Sequence, residues 1–271
     1  GVRSTWFIIC GTPAFASIRA GDVTYLPESP AVKRILAAVA EGGHEIGLHG
    51  SFETMLDGGR FRAQRERLES LTRAPVTGVR QHFLRMRPGA TQQEMASARF
   101  GYDSTWGFSD RNGFRLGVAD IVAGWDAHRE SLSGLEEAPL AWMDRALSKY
   151  AGIENPERWV DDALELARAC RDVNGVWVGL WHPNLVPARG CPGAPTARRR
   201  LLDILMAGQP YAERLDRIVA WRVARRSLRA TRVSPDGRAE LAADRAWNGP
   251  AILEDPRGGP IASHHWPQGG A

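Results

Sequence analysis

Apolar positions in the first hundred residues switch between two periods. Thr5 to Cys10 is an unbroken apolar block, Thr-Trp-Phe-Ile-Ile-Cys, of the length of a buried strand. Ser29-Pro30 then supplies an N-cap and a first-turn proline for a helix carrying Val32, Ile35, Leu36 and Val39 on one face. Gly42-Gly43 ends that helix and leads into a second strand, His44 to Leu48. A charged helix around Phe61 to Leu71 follows, then a strand from Gly78 to Leu84. Thr91-Gln-Gln-Glu94 has the pattern of a capping box opening the next helix, and Gly101 to Thr105 begins the strand after it. Strands alternating with helices predict a parallel sheet with crossover helices.

Residues 107–154 are less regular, with glycines at 107, 113, 117, 124 and 134, and read as long loops around a site. Asn155-Pro156 restarts the rhythm with an amphipathic helix carrying Trp159, Val160, Ala163, Leu164 and Ala167. Asn174-Gly175 turns into the apolar strand Val176 to Trp181, which ends on His182. Tyr211 to Arg226 is a last helix with Leu215, Ile218 and Val219 on its stripe. The expected organisation is a 1–226 α/β domain, a small β hairpin appendage over 227–248, and a flexible Gly/Pro-rich tail over 249–271. Thr5–Cys10, His44–Leu48, Gly78–Leu84 and Val176–Trp181 are expected to be neighbouring parallel strands whose carboxyl ends face one cleft.

Composition narrows the function classes. Of 271 residues, 43% are hydrophobic and 24% charged, the balance of a globular chain with a buried core. Basic residues exceed acidic ones by 35 to 31, and lysine occurs only at Lys33 and Lys149. No basic stripe interleaved with aromatics appears, so no nucleic-acid surface is expected, whereas an anionic glycan is compatible with the arginine content. Cys10, Cys170 and Cys191 have no zinc-knuckle or CxxC spacing and are read as structural. No apolar run reaches membrane-spanning length, and no signal segment opens the chain. Because the first residues already read as a core strand, an earlier start to the natural protein is expected.

Chemistry is sought where strands end, since the loops beyond them carry sites in α/β folds. His49 closes the block Gly43-His-Glu-Ile-Gly-Leu-His-Gly50, and His182 closes Leu180-Trp181-His182. His44 lies within its strand and is read as structural, as are His128, His264 and His265. Asp103, Asp110, Arg111 and Arg115 crowd one segment, as an ion-pair network or as substrate contacts. Trp106, Trp125 and Trp181 stand beside these segments and could stack on sugar rings. Ser51 lacks the Gly-x-Ser-x-Gly elbow of a nucleophilic serine.

Four segments, His44 to Glu53, Arg80 to Arg85, Asp103 to Arg115 and Trp181 to Asn184, together resemble the polysaccharide deacetylase family of NodB-homology hydrolases. The resemblance spans roughly residues 1–225 and is nearest a bacterial branch carrying GHEIGLH, VRQHFL-like, YDST-G-F-DR-GFR and LWH segments in this order. It implies a distorted (β/α) barrel, here truncated at the N-terminus, that removes acetyl groups from an N-acetylated carbohydrate or polysaccharide. It also implies a divalent metal, usually zinc, held by an Asp–His–His set, with an Asp as general base and a late His as general acid. On that pattern His49 is a metal ligand, completed by Glu53 or His82, and His182 is the acid. Arg80 stands where an arginine orients the catalytic aspartate, while Asp110, Arg115 and Trp106 are substrate-binding candidates. The family's first-motif aspartates fall on a strand upstream of Gly1. A catalytically silent carbohydrate- or partner-binding barrel and an O-acetyl esterase are the alternatives.

Overall fold

The computed structural model describes residues 2–19, 21–187, 190–233, 239–242, 251–254 and 260–264. The chain forms two compact units, Gly1–Asp216 and Arg217–Ala271, where the sequence places the boundary at residue 226. The first unit is mixed α/β. Its main sheet has the order β1 (Thr5–Ile9), β2 (Glu45–Gly50), β3 (Gly78–Gln81), β4 (Tyr102–Asp103), β6 (Ser131–Glu137), β5 (Val122–Asp126). The first five of these run parallel, and β5 is antiparallel to β6 at one edge.

The expected parallel core is present in β1, β2 and β3, but the fourth expected neighbour is elsewhere. Only Gly179–Leu180 of the Val176–Trp181 run forms a strand, β8, and it pairs in parallel with β7 (Trp142–Met143) as a separate two-stranded sheet. A closed barrel is not formed by the strand pairings among the described residues. The pattern could not reveal this, because an apolar run marks burial and leaves the pairing partner open.

Between β1 and β2 lie a long loop with the short helix α1 (Phe15–Arg19) and then α2 (Pro30–Glu41). Helix α2 starts as its sequence dictates, with Pro30 in the first turn and the Ser29 side chain accepting from the Val32 N–H. Helix α3 (Gly58–Thr72) connects β2 to β3, and α4 (Ala90–Ser97) connects β3 to β4. The expected Thr91–Glu94 capping box is displaced by two residues, to Gly89 and Gln92. Gln92 accepts from the Gly89 N–H at the start of α4, whereas Glu94 accepts from the Gly58 N–H and so docks α3 on α4.

Leu36, Leu48, Phe61, Leu68, Val79, Met95 and Leu135 form one core between the helices and the sheet. Fully buried side chains such as Leu48, Phe61 and Leu68 each contribute about 1.5–3 kcal/mol by leaving water. A second core joins Trp142 of β7 to Trp159, Val160 and Ala163 of α5 (Pro156–Asp172) and to Ala194, Ala197 and Leu201 of α6 (Ala194–Ala207). Trp177 and Trp181 pack on that core, so Trp181 is a core residue.

Arg67 of α3 ties the long loop after β1 to the body of the unit. Its guanidinium donates to the Cys10 and Gly11 carbonyls and forms a bidentate pair with Glu28. The second unit takes most of α7 (Leu215–Arg226) and two hairpins, β9 (Arg229–Val233) with β10 (Ala239–Ala242) and β11 (Ala251–Glu254) with β12 (Pro260–His264). The first hairpin lies within the stretch 227–248, and the second within the stretch read as a tail. The expected turn at Ser234 to Gly237 and the last residues from 265 lie outside the described residues.

Gly50, at the end of β2, is enclosed so tightly that an added Cβ would sit 2.4 Å from Gln81 Oε1 and 2.7 Å from the buried Phe61 ring. Gly50→Ala is expected to cost about 1–3 kcal/mol of stability through overpacking, measured by denaturant unfolding.

Candidate active site

Parallel pairing sets β2 and β3 side by side with His49 opposite Arg80. His49 lies in the penultimate position of its strand, not beyond it, and its Nδ1 is bonded to the Arg80 carbonyl oxygen at 2.8 Å. A carbonyl oxygen only accepts, so Nδ1 carries the proton and Nε2 presents a lone pair. His49 retains some exposed surface, but protein surrounds most of its ring. Burial holds its pKa well below the ordinary imidazole value, and the His82, Arg80 and His182 side chains lower it further. The ring is therefore neutral at neutral pH.

β3 ends at Gln81, and the next three residues, His82–Leu84, form a tight turn. That turn brings His82 beside His49, ring centroids 4.9 Å apart. His82 Nδ1 bonds to Asp22 Oδ1 at 2.7 Å. Asp22 is buried and comes from the loop after β1, where both of its oxygens also accept from the Phe52 N–H at 3.0 Å. It thus pins the turn after β2 and orients the imidazole at the end of β3.

His182 follows β8 and is held by Asp144, which follows β7. One Asp144 oxygen accepts from the His182 backbone N–H at 2.6 Å and the other bonds to His182 Nδ1 at 2.5 Å. Asp144 is fully buried, while the His182 side chain is 34% exposed. All three imidazoles consequently have Nδ1 engaged by an oxygen, which leaves Nε2 as the reactive nitrogen of each. His82 packs edge-on to His49, and His182 is near enough to lower the His49 pKa slightly.

The remaining candidates fall elsewhere. Glu53 does not join the histidines: its side chain is 66% exposed and pairs with Arg60 at 2.7 Å, because the turn after β2 directs it outward. Arg80 contributes its carbonyl, and its guanidinium lies in the sheet. There it donates to the Ser104 carbonyl and hydroxyl and covers the Phe7 ring at 4.4 Å. Arg115 donates to the Gly107 carbonyl at 3.0 Å and lies over Trp106 at 5.8 Å, so these two brace the loop after β4. Asp110 is exposed and pairs with Arg111 at 3.5 Å. Trp125 is exposed on edge strand β5, and His44 accepts from the Ser4 N–H, the structural role expected of it.

Asp22 and Asp144 are absent from the candidates read in the sequence. Asp144 had a signal of the same kind as His182, because the apolar run Ala138 to Met143 ends on it. Asp22 sits in a Gly-Asp-Val stretch of a long loop, a position that only the fold relates to His82.

Asp103 and Glu137 oppose one another at the ends of β4 and β6. Burial pushes Asp103 up to about 6, against hydrogen bonds from the Thr105 hydroxyl, the Thr105 N–H and Gln92. Burial, and then the Asp103 charge and hydrogen bond, push Glu137 well above the carboxylate range. Trp106 lies near enough to favour the Glu137 charge, but its N–H falls short of full hydrogen-bond geometry. Glu137 therefore keeps its proton at neutral pH, and Asp103 ionises first.

His49 and His82 offer two nitrogen donors of the type that binds a divalent metal, with acceptors behind both rings as metal-bound histidines have. Among the described residues, however, no three His, Cys, Asp or Glu side chains are clustered to hold an ion. A catalytic zinc takes three protein donors, so this set fits the group incompletely.

The fold is similar to the crystal structure of a protein from Mycobacterium smegmatis provisionally named a polysaccharide deacetylase. The two chains are 24% identical with a TM-score of 0.54, and the match covers 81% of this chain and 71% of that one. No family model matches the sequence, and no curated protein sequence matches it. The likeness supports the expected relation to the deacetylases at the level of fold. Among the described residues no helix is long and apolar enough to cross a membrane.

Two outcomes test this geometry. Asp22→Ala leaves the Phe52 N–H and His82 Nδ1 without their acceptor, so it should cost about 1–3 kcal/mol and give a mixed His82 tautomer in nitrogen NMR spectra. The acidic pair sets a pH slope. A carboxyl whose folded pKa is raised binds its proton more tightly in the folded state, so the protein loses stability as pH rises from the unfolded value to the folded one. Across about pH 4 to 6, Asp103→Asn should therefore gain stability relative to the parent, as followed by thermal unfolding at several pH values.

Proposed function

We propose that the chain is a hydrolase that removes acetyl groups from an N-acetylated carbohydrate or polysaccharide. The observation that carries this reading is the group of three imidazoles, each with Nδ1 tied to an oxygen and Nε2 free. Two of them are backed by buried carboxylates, the arrangement that lets a histidine take or give a proton without changing its orientation. The deacetylase-like fold supports the same reading.

Amide hydrolysis needs a proton removed from the attacking water and one delivered to the departing nitrogen, since an unprotonated amine leaves poorly. His82 is the base of this proposal: with its Nδ1 proton held by Asp22, its Nε2 accepts from water. His182 is the acid. Asp144 stabilises its imidazolium, and its partial exposure lets the proton reach a bound substrate. His49, kept neutral, presents a lone pair and no positive charge beside the base.

His182→Ala should lower deacetylation of an N-acetylated oligosaccharide by roughly 10² to 10⁴. It should affect an activated acetate ester less, because that leaving group needs less protonation. Asp144→Asn should lower the same activity while leaving the fold intact, through loss of the imidazolium's partner. Rates are to be measured with added zinc and with chelator, which separates a metal requirement from the acid role. Equal losses on amide and ester would sink the acid assignment. A parent that binds glycan and hydrolyses neither substrate would leave the silent carbohydrate-binding reading.

A further inference from the structure

We infer that Phe83 is a positioning residue for the base: its ring, set in place by a strained backbone, fixes the plane of the His82 imidazole and so the direction in which Nε2 points. This rests on the deacetylase reading of the same site, in which His82 takes the proton from water. A hydrogen bond alone leaves that direction open. The bond that His82 Nδ1 donates to Asp22 fixes one point of the ring, 2.7 Å from the carboxylate, and the imidazole can still rock about that point. His49 meets the ring only edge-on, with centroids 4.9 Å apart and an interplanar angle of 61°. Phe83 supplies the flat contact, stacking on the imidazole with centroids 3.9 Å apart and an interplanar angle of 21°. Held at an edge by the carboxylate and on a face by Phe83, the imidazole is left a single orientation.

The backbone bends to make this contact. Phe83 has φ 59° and ψ 16°, and Leu84 has φ 51°, so two consecutive residues with side chains occupy the left-handed region. That conformation disfavours any L-residue other than glycine, and it persists only where the surrounding structure enforces it. Leu84, which is buried, anchors one side of the pair. Phe52 braces the other: its ring meets Phe83 edge-on at 6.5 Å and 77°, and lies under the Arg85 guanidinium at 3.6 Å. Arg85 also donates to the Phe52 carbonyl at 2.7 Å, and the Phe52 N–H is held by Asp22. The contacts close a circuit. Asp22 holds the Phe52 backbone, the Phe52 ring abuts Phe83, Phe83 stacks on His82, and His82 returns to Asp22. Phe83 remains 48% exposed, so burial accounts for only part of what the strained turn gains. What the turn secures besides burial is the flat face against His82.

The test separates turnover from binding on an N-acetylated oligosaccharide and follows the His82 ring by NMR relaxation in protein carrying isotope-labelled histidine. Phe83→Leu removes the flat face and keeps an apolar side chain. Its kcat should fall roughly 10- to 100-fold with KM within about twofold of the parent, the scale that misplacing a reacting group by about 1 Å produces. The order parameter of the His82 ring should fall while that of His182 stays, and His82 should keep its proton on Nδ1 because Asp22 is still present. Phe83→Tyr restores a flat ring and should bring kcat back to within about twofold of the parent. Thermal unfolding reports the folding of each variant, and Phe83→Gly, which relieves the left-handed backbone, replaces Phe83→Leu in the comparison if the latter fails to fold. A raised KM with kcat and ring order unchanged would overturn the positioning role and make Phe83 a substrate contact. A slowed Phe83→Leu whose His82 ring is as ordered as the parent's would overturn it too. A parent that hydrolyses no acetyl group, but whose His82 ring loosens in Phe83→Leu, would overturn the deacetylase reading and leave the positioning of the imidazole standing.

Discussion

Everything at this site depends on which ring nitrogen of each histidine is already taken. An imidazole that is free to turn can use either nitrogen, and its chemistry is undefined until one is committed. Here the commitment comes from three sources: a strand carbonyl for His49, a loop carboxylate for His82 and a strand-end carboxylate for His182. The parallel register matters for this reason. Only with His49 opposite Arg80 does a backbone oxygen that needs no side chain fall within reach of the ring.

The polar residues beneath the histidines do a different task. Gln81 donates to the Ser51 carbonyl and accepts from the Thr54 hydroxyl, and its backbone N–H is taken by Thr105. Arg80 is satisfied by Ser104 and the Phe7 face, and burial lowers its pKa to about 10 while nearby acidic groups oppose the shift. Such groups are tolerated inside only when their bonds are made, and satisfied together they leave the strand ends little freedom. The floor is rigid because it is polar, and the rings above it inherit that rigidity.

Much of the fold was legible because its local signals agree. Ser29-Pro30 and Asn155-Pro156 start their helices as expected, and β1, β2 and β3 lie within about two residues of their predicted limits at most ends. The fourth strand was misplaced because β7, its true partner, is two residues long and carries almost no periodic signal. The strand-end rule singled out His49 and His182, whereas His82 lay inside the expected Gly78–Leu84 strand and entered only as the alternative to Glu53. Glu53 was misread because four-residue spacing after His49 implies a helical turn, whereas the chain makes a tight turn at Phe52–Thr54 that points the carboxylate outward. Asp22 could not be read at all, since nothing local relates residue 22 to residue 82.

The Arg67 clasp has a consequence for how such a site can diversify. It grips the loop after β1 at Cys10 and Gly11 and again at Glu28, while Asp22 is fixed separately by Phe52 and His82. Between these two fixed posts, the described residues 12–19 carry Phe15 and Ile18 exposed. Lengthening such a span costs little, because closure entropy grows only with the logarithm of its length. New surface can be written there without disturbing the protons behind it.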